Sequence, residues 1–326
     1  MTRRAAPRTE DSFEYDADMS ATERGALLAL LRSPGQSWSG VADDVESAGS
    51  ALEVLHQKPH GQMSLFADEA SGACAAEAAE GEIAGWEREG MRFLTMLDPD
   101  YPAQLLVVHQ RPPFLMIRGR LDAADSRSVA IVGTRRASER GLRQAGELAR
   151  GVAEAGVPVV SGLAAGIDTA ALTGVLAAGG RAVAVIGTGL RRSYPKDNAA
   201  LQERIAREGA VISQFLPDAP PTKASFPMRN AVMIGFSAAT VVVEAPYRSG
   251  ARMQARLALE HGRQVFLLES LLVNDWAQSY AQRPNTTVVR TVEVPYILRH
   301  VVKPTSDRVA EILTPNPAYP PGSRDA

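Results

Sequence analysis

The sequence predicts an α/β fold, a parallel sheet with helices on both faces, preceded by a small helical module. Two observations carry this reading. Short apolar runs recur from residue 128 onward, and helical segments lie between most of them at a spacing of about 25 residues, the pattern of a sheet buried on both sides. Several of these runs also end in glycine-rich turns.

In chain order, residues 1–20 are polar, lack periodicity and are expected to be disordered. Residues 21–57 carry Leu27, Leu28, Leu30 and Leu31, then Val41 and Val45, then Leu52, Val54 and Leu55 at helical spacing. Ser33-Pro34-Gly35 and Gly49-Ser50 divide them into about three short helices. Residues 58–80, rich in Ala, Gly, Ser and acid, read as a linker. A short helix over 83–90 then leads into Arg92–Thr95 and, past a turn-rich stretch, Phe114–Ile117. The main sheet follows with SVAIVG (128–133), VPVVSG (157–162), RAVAVIGTG (181–189), AVIS (210–213), ATVVVEA (239–245) and RQVFLL (263–268). Helices are predicted over 138–155, 166–179, 197–208, 225–237 and 249–261. Thr287-Val288-Val289 offers one more strand, followed by a helix, so residues 81–302 form one sheet domain and 303–326 a loose, proline-rich tail.

Composition narrows the function. At 326 residues and 45% hydrophobic, the chain can bury a large core. It lacks an apolar run long enough to span a membrane. Its first residues carry acids and no apolar leader, so a cytoplasmic location and no membrane partner are expected. The single Cys74 excludes an internal disulfide framework and a thiolate metal site, and the histidines are scattered, so neither metal nor cofactor is expected. The net charge of −2 is neutral overall, but its distribution is not. Arg127, Arg135, Arg136, Arg140 and Arg143 crowd one stretch against the lone Glu139.

The glycine turns are Gly133-Thr134-Arg135, Ser161-Gly162 through Gly166, and Gly187-Thr188-Gly189. At the carboxyl ends of parallel strands, such turns either present backbone amides to phosphate or simply permit tight strand-to-helix turns. The sequence has neither the glycine fingerprint of a dinucleotide site nor a phosphate-binding P-loop. Ahead of the helix at 225, Lys223, Phe226, Arg229 and Asn230 lie close together. Lys223 can bind phosphate. Phe226 either stacks on an unpaired base or plugs the helix start. Arg229 either binds phosphate or forms a surface ion pair. Past a further strand, Glu244 either anchors a neighbouring loop or orients a ligand hydroxyl. Ser249 reads as a helix N-cap, and Gly250 admits a close ligand.

VAIVGTRRASERGLR, SGLAAGIDTAA, AVIGTGLRRSYPKDN, SFPMRN and VVVEAPYRSGA, with WEREGMRFLTMLDPDYP and PPFLMIRGR ahead of them, resemble in order and spacing the DprA/Smf family of DNA-processing proteins. The resemblance runs over roughly residues 25–268. It implies an extended Rossmann-like domain behind a helical one, and single-stranded DNA held in a positive pocket. It also implies a homodimer, a RecA partner, and a role in DNA recombination and natural transformation with no catalytic residues. In the family pattern Arg135 matches the loop arginine after the first strand, and Lys223 and Phe226 match the lysine and aromatic before R-N. The sequence departs from the pattern at Ala165, Leu172 and Ala231, where the family carries arginine, histidine and arginine, and in its S-G-S-L-I-T-A helix start, which here reads Ser249-Gly250-Ala251-Arg252-Met253-Gln254-Ala255. The alternative is a LOG-type phosphoribohydrolase or nucleotide-binding protein using the same crevice. The positions of its catalytic acids fall near Met253 and Gln254, neither of which can act as general acid or base. Finally, Gln62, Leu65 and Phe66 form a short peptide similar to those that bind the replication sliding clamp; otherwise the Leu-Phe pair packs back on its own domain.

Overall fold

The computed structural model describes residues 22–57, 69–108, 111–290, 293–299 and 301. The expected disordered N-terminus, the loose tail and the Gln62–Phe66 peptide all lie outside these residues. The described chain folds around a mixed nine-stranded sheet. Its strands are β1 (Arg92–Thr95), β2 (Phe114–Gly119), β3 (Val129–Val132), β4 (Val159–Ser161), β5 (Ala182–Val185), β6 (Ala210–Ser213), β7 (Ala239–Val242), β8 (Gln264–Leu268) and β9 (Thr286–Val289). The spatial order is β1-β2-β6-β5-β4-β3-β7-β8-β9. Strands β3 to β9 pair in parallel. β2 runs antiparallel to β6, and β1 antiparallel to β2. After β3 the chain builds one side outward through β4, β5 and β6, then returns and builds the other side from β7. The direction of winding therefore reverses between β3 and β7, which is where open α/β sheets leave a crevice at their carboxyl edge.

The central strands alternate between two cores. In β3, Val129 and Ile131 join one apolar cluster and Ala130 and Val132 the other. This is the period-two geometry of a strand buried on both faces. Helices α6 (Glu139–Glu154), α7 (Ile167–Ala177) and α12 (Val294–Arg299) contribute to the first cluster, and α9 (Ser225–Phe236), α10 (Gly250–Glu260) and α11 (Asp275–Ala281) to the second. Two further helices are α8 (Ala199–Glu208), which follows β5 and sends Ile205 to the first cluster, and the short α5 (Ala103–Leu106), which follows β1 and sends Leu105 to the second.

The amino-terminal helices are α1 (22–32), α2 (Trp38–Ala48), α3 (Ala51–Gln57) and α4 (Glu69–Arg88). They share the first core rather than keeping one of their own. Trp38 meets Phe114 edge-on at 5.3 Å, Phe114 stacks on Phe93 at 4.9 Å, and Trp86 lies 6.0 Å from Phe93. Arg24 on α1 donates to Asp98 just past β1, and the same carboxylate accepts from the backbone and hydroxyl of Thr95.

One expectation needs correction. Residues 69–80, read as linker, are the first turns of α4. Ala76, Ala79, Ile83 and Trp86 recur at helical spacing and are buried. The face is built of alanine because α1 passes so close: a Cβ on Gly25 would stand 2.5 Å from the Ala76 carbonyl oxygen. Small buried residues leave little hydropathy signal.

Because Phe93 is fully buried where the helices meet the sheet, Phe93→Ala is expected to cost about 3–5 kcal/mol. Urea denaturation would read this as a lowered midpoint with an unchanged slope.

Candidate nucleic-acid interface

The crevice predicted by the topology is present. A cleft of about 940 Å³ opens at the carboxyl ends of β3 and β7. On the β3 side it is lined by Gly133, Thr134 and Arg135; on the α9 side by Phe226, Arg229 and Asn230; and on the α10 side by Ser249 and Gly250. Those eight sequence candidates are thus brought together. Arg136, Arg140 and Arg248 join them, and the signal for the first two was the arginine run at 127–143.

The two carboxylates that line the cleft are Glu244 and Asp168, and each is engaged by the protein itself. Glu244 accepts from the Ser138 backbone at 3.1 Å and from the Ser138 hydroxyl at 2.7 Å. Its carbonyl accepts from the Thr134 amide at 2.7 Å. Of its two expected roles, the structure assigns the loop anchor: Glu244 ties the β3–α6 loop to the end of β7. Asp168 is buried at the start of α7 and accepts from the amides of Gly162 and Ala164 at 3.2 and 3.4 Å. Burial pushes its carboxyl above the ordinary range, while Arg229 and those amides pull it back. Arg135, Arg136, Arg140 and Arg248 are exposed and make no ion pair among the described residues. The mouth of the cleft is therefore net positive.

Arg229 differs from both of its expected roles. It is not on the surface but 3% exposed, with Nη1 donating to the Val185 carbonyl at 3.1 Å and lying 4.0 Å from Asp168. Burial works against its charge and Asp168 works for it. Space for the guanidinium comes from Gly162, where a Cβ would fall 1.3 Å from Nη1. The sequence held a sign of this. Phe226, Arg229, Asn230 and Met233 share one helical face, and that face is apolar at its far end.

Phe226 is half-buried, and Arg135 lies over its ring at 5.0 Å. Tyr194, absent from the sequence candidates, is 5.4 Å from the same ring. Beneath it sits Gly187, whose missing side chain leaves the room: a Cβ there would be 3.0 Å from Phe226.

Of the other two glycine turns, the one at 161–166 reaches the cleft only through Ala164, and the candidates Ser161, Gly162, Gly166, Gly187, Thr188 and Gly189 do not line it, which favours the tight-turn reading for them. Ser161 is buried and donates to the Ile131 carbonyl at 2.6 Å, and the Gly162 amide serves Asp168. Gly166 takes a φ of +83° and packs against the Thr134 carbonyl. The amide of Gly189 donates to Ala219 at 2.9 Å, and Thr188 is buried with its carbonyl accepting from Ser213. These turns are tight because their amides and surfaces are used internally. Ser249 caps α10 as expected, accepting from Arg252, and Gly250 faces open space. Lys223 is exposed just ahead of α9, outside the cleft. Of the positions that depart from the family pattern, Ala165 is exposed and Leu172 is fully buried in the core. Met253 and Gln254 line the cleft where the hydrolase alternative needs acids.

A family model described as DNA recombination-mediator protein A matches residues 92–290. Among curated relatives, Protein Smf of a Synechocystis strain is 41% identical over 186 residues, covering 56% of this chain and 47% of its own length. DNA processing protein DprA of Streptococcus pneumoniae is 38% identical over 180 residues, covering 55% and 64%. The chain thus spans about half to two thirds of these relatives. Among solved structures, the Streptococcus pneumoniae protein superposes with a TM-score of 0.63 at 27% identity, covering 89% of this chain and 98% of that one. DNA processing protein A from Helicobacter pylori, studied for its single-stranded DNA binding mode, superposes with a TM-score of 0.57 at 27% identity, covering 64% and 97%.

Two outcomes are expected from this geometry. Gly162→Ala must displace the Arg229 guanidinium or the β4–α7 loop and is expected to destabilise by about 1–3 kcal/mol in urea titration. Asp168 has a folded pKa raised above its ordinary 3.8. The folded state therefore holds the extra proton, and this contribution to stability is full below that value and lost as pH rises through the folded one. Urea midpoints measured across that window should show the corresponding pH dependence in the wild type and lose it in Asp168→Asn.

Proposed function

Because the chain belongs to the DNA recombination-mediator protein A family, we propose that it binds single-stranded DNA in this cleft and serves DNA processing and recombination rather than catalysis. One observation carries the reading: both cleft carboxylates are committed internally while the rim arginines are left for an outside anion. Arg135, Arg136, Arg140 and Arg248 would contact backbone phosphates, with Lys223 extending the track along the loop before α9. Phe226, backed by Arg135, offers a base-stacking surface. A duplex hides its base faces, so a stacking site favours unpaired strands. The Helicobacter pylori relative's single-stranded DNA binding mode supports the same assignment.

The hydrolase alternative gains nothing from the site, since Met253 and Gln254 occupy the positions its acids would need. A RecA recombinase, a second copy of this chain and the sliding clamp, engaged through Gln62, Leu65 and Phe66, are the protein partners this reading adds, in the cytoplasm. Among the described residues no helix is long and apolar enough to cross a membrane.

The deciding experiment is a salt titration of binding to oligo-dT and to duplex, beside a nucleoside-monophosphate hydrolysis assay. Oligo-dT should bind more tightly, with affinity falling steeply as salt rises; equal binding to duplex, or measurable hydrolysis, would overturn the reading. Arg135→Ala, Arg140→Ala and Lys223→Ala should each weaken binding and lower the log–log salt slope by about 0.7 per lost phosphate contact. Phe226→Ala is expected to cost about 1–3 kcal/mol of affinity, with the slope unchanged. For the clamp, a pulldown should lose signal in the Leu65→Ala/Phe66→Ala double variant.

A further inference from the structure

The cleft has a counterpart in the chain itself. Among the described residues its two carboxylates, Glu244 and Asp168, are engaged internally, while Arg135, Arg136, Arg140 and Arg248 stand exposed at the mouth. Beside them Phe226 and the 44% exposed Tyr194 form a two-ring surface, with centroids 5.4 Å apart. Three longer stretches lie outside the described residues: 1–21, 58–68 and 302–326. In the latter two, acids and bases are equal in number. Residues 9–18 differ. They hold Glu10, Asp11, Glu14, Asp16 and Asp18 with no lysine or arginine, and Phe13 and Tyr15 alternate with the acids.

Topology brings this segment within reach of the cleft. β1 is antiparallel to β2 and β2 to β6, so β1 runs parallel to β6 and ends at the same edge of the sheet as the cleft. α1 begins beside that end, where Arg24 donates to Asp98 just past β1. The chain ahead of Thr22 therefore emerges on the cleft's side. Phe226 lies over Gly187 at the end of β5, three strand spacings from β1, or about 14 Å. Arg135 follows β3, five spacings away, or about 24 Å. At about 3.3 Å per extended residue, Phe13 can reach about 30 Å from Thr22 and Glu10 about 40 Å. Drawn out in this way, Phe13 and Tyr15 would share one side and Glu14 and Asp16 the other.

We infer that residues 10–18 are an internal competitor for the cleft: their carboxylates face the rim arginines in place of phosphates, and Phe13 or Tyr15 meets the Phe226–Tyr194 surface in place of a base. The inference rests on the polynucleotide reading of the cleft and adds its regulation. A segment tethered within reach acts at an effective concentration on the order of millimolar, so weak contacts suffice. An incoming strand must displace it. Because salt weakens the competitor as well as the strand, the wild type's salt dependence is shallower than that of the open cleft.

The test measures oligo-dT affinity at low and high salt for three full-length chains: the wild type, the neutralised variant Glu10→Gln/Asp11→Asn/Glu14→Gln/Asp16→Asn/Asp18→Asn, and Phe13→Ala/Tyr15→Ala. At low salt the neutralised variant should bind about fivefold or more tightly than the wild type, and the gain should fade at high salt. Phe13→Ala/Tyr15→Ala should show a smaller gain. Equal affinity of the wild type and the neutralised variant would overturn the inference. A gain on neutralisation with none on removing the rings would mean a general repulsion of the strand, and would overturn the seated contact. Placement is read without any strand. With p-benzoylphenylalanine in place of Phe13, irradiation of the full chain should cross-link it, within one chain, to the stretch bearing Tyr194 or Phe226, and added oligo-dT should suppress the product. Cross-links elsewhere, between two chains, or none at all would overturn the inference. Should oligo-dT bind none of the three chains while the cross-link to the cleft forms, the strand reading fails and the segment's seat in the cleft stands.

Discussion

A permanently charged guanidinium is held inside the protein at the top of the sheet, and the site is arranged around that constraint. Arg229 cannot shed its charge, and burying it is costly unless it is partnered. The protein supplies the Val185 carbonyl and, at longer range, Asp168. Asp168 is itself buried and needs donors, which the amides of Gly162 and Ala164 provide. Each requirement generates the next. The β4–α7 loop must curl inward to serve Asp168, and residue 162 must be glycine for Arg229 to pass. A loop that could have cradled an external anion is consumed by an internal one.

The β3–α6 loop has the opposite fate. Glu244 grips it at Ser138, and the backbone of Thr134 is pinned to the Glu244 carbonyl. The loop is held from the side of β7, so its arginines project outward into the cleft between β3 and β7. Its positive character rests on side chains on a fixed loop, not on a cradle of backbone amides. Flexible cations over a rigid floor are the arrangement that the proposed polymer ligand, whose phosphates vary in position, would call for, and an affinity resting on them would depend on salt.

The helices ahead of the sheet brace the opposite end of the architecture. Trp38, Trp86, Phe93 and Phe114 form one aromatic cluster that joins α2 and α4 to the antiparallel edge formed by β1 and β2. That edge pairs with β6 and so continues the sheet across to the strands that carry the cleft. The amino-terminal helices therefore stabilise the sheet that positions the site while contributing no residue to the cleft lining.

The order of strands and helices from 128 onward was legible in the sequence because a strand buried on both faces writes its burial into a continuous apolar run. Arg135 and Phe226 were legible as candidates because a cation after a core strand, or an aromatic in a polar loop, needs an explanation. Residues 69–80 were not legible as helix, since their buried face is alanine and gains its meaning only from how closely α1 approaches. The destinations of Arg229 and Glu244 were equally hidden. Whether an arginine or a glutamate faces water or an internal partner depends on groups more than 40 residues away in sequence, such as Val185 for Arg229 and Ser138 for Glu244. Local chemistry determined which residues could serve a ligand; long-range packing decided which of them the fold had already spent on itself.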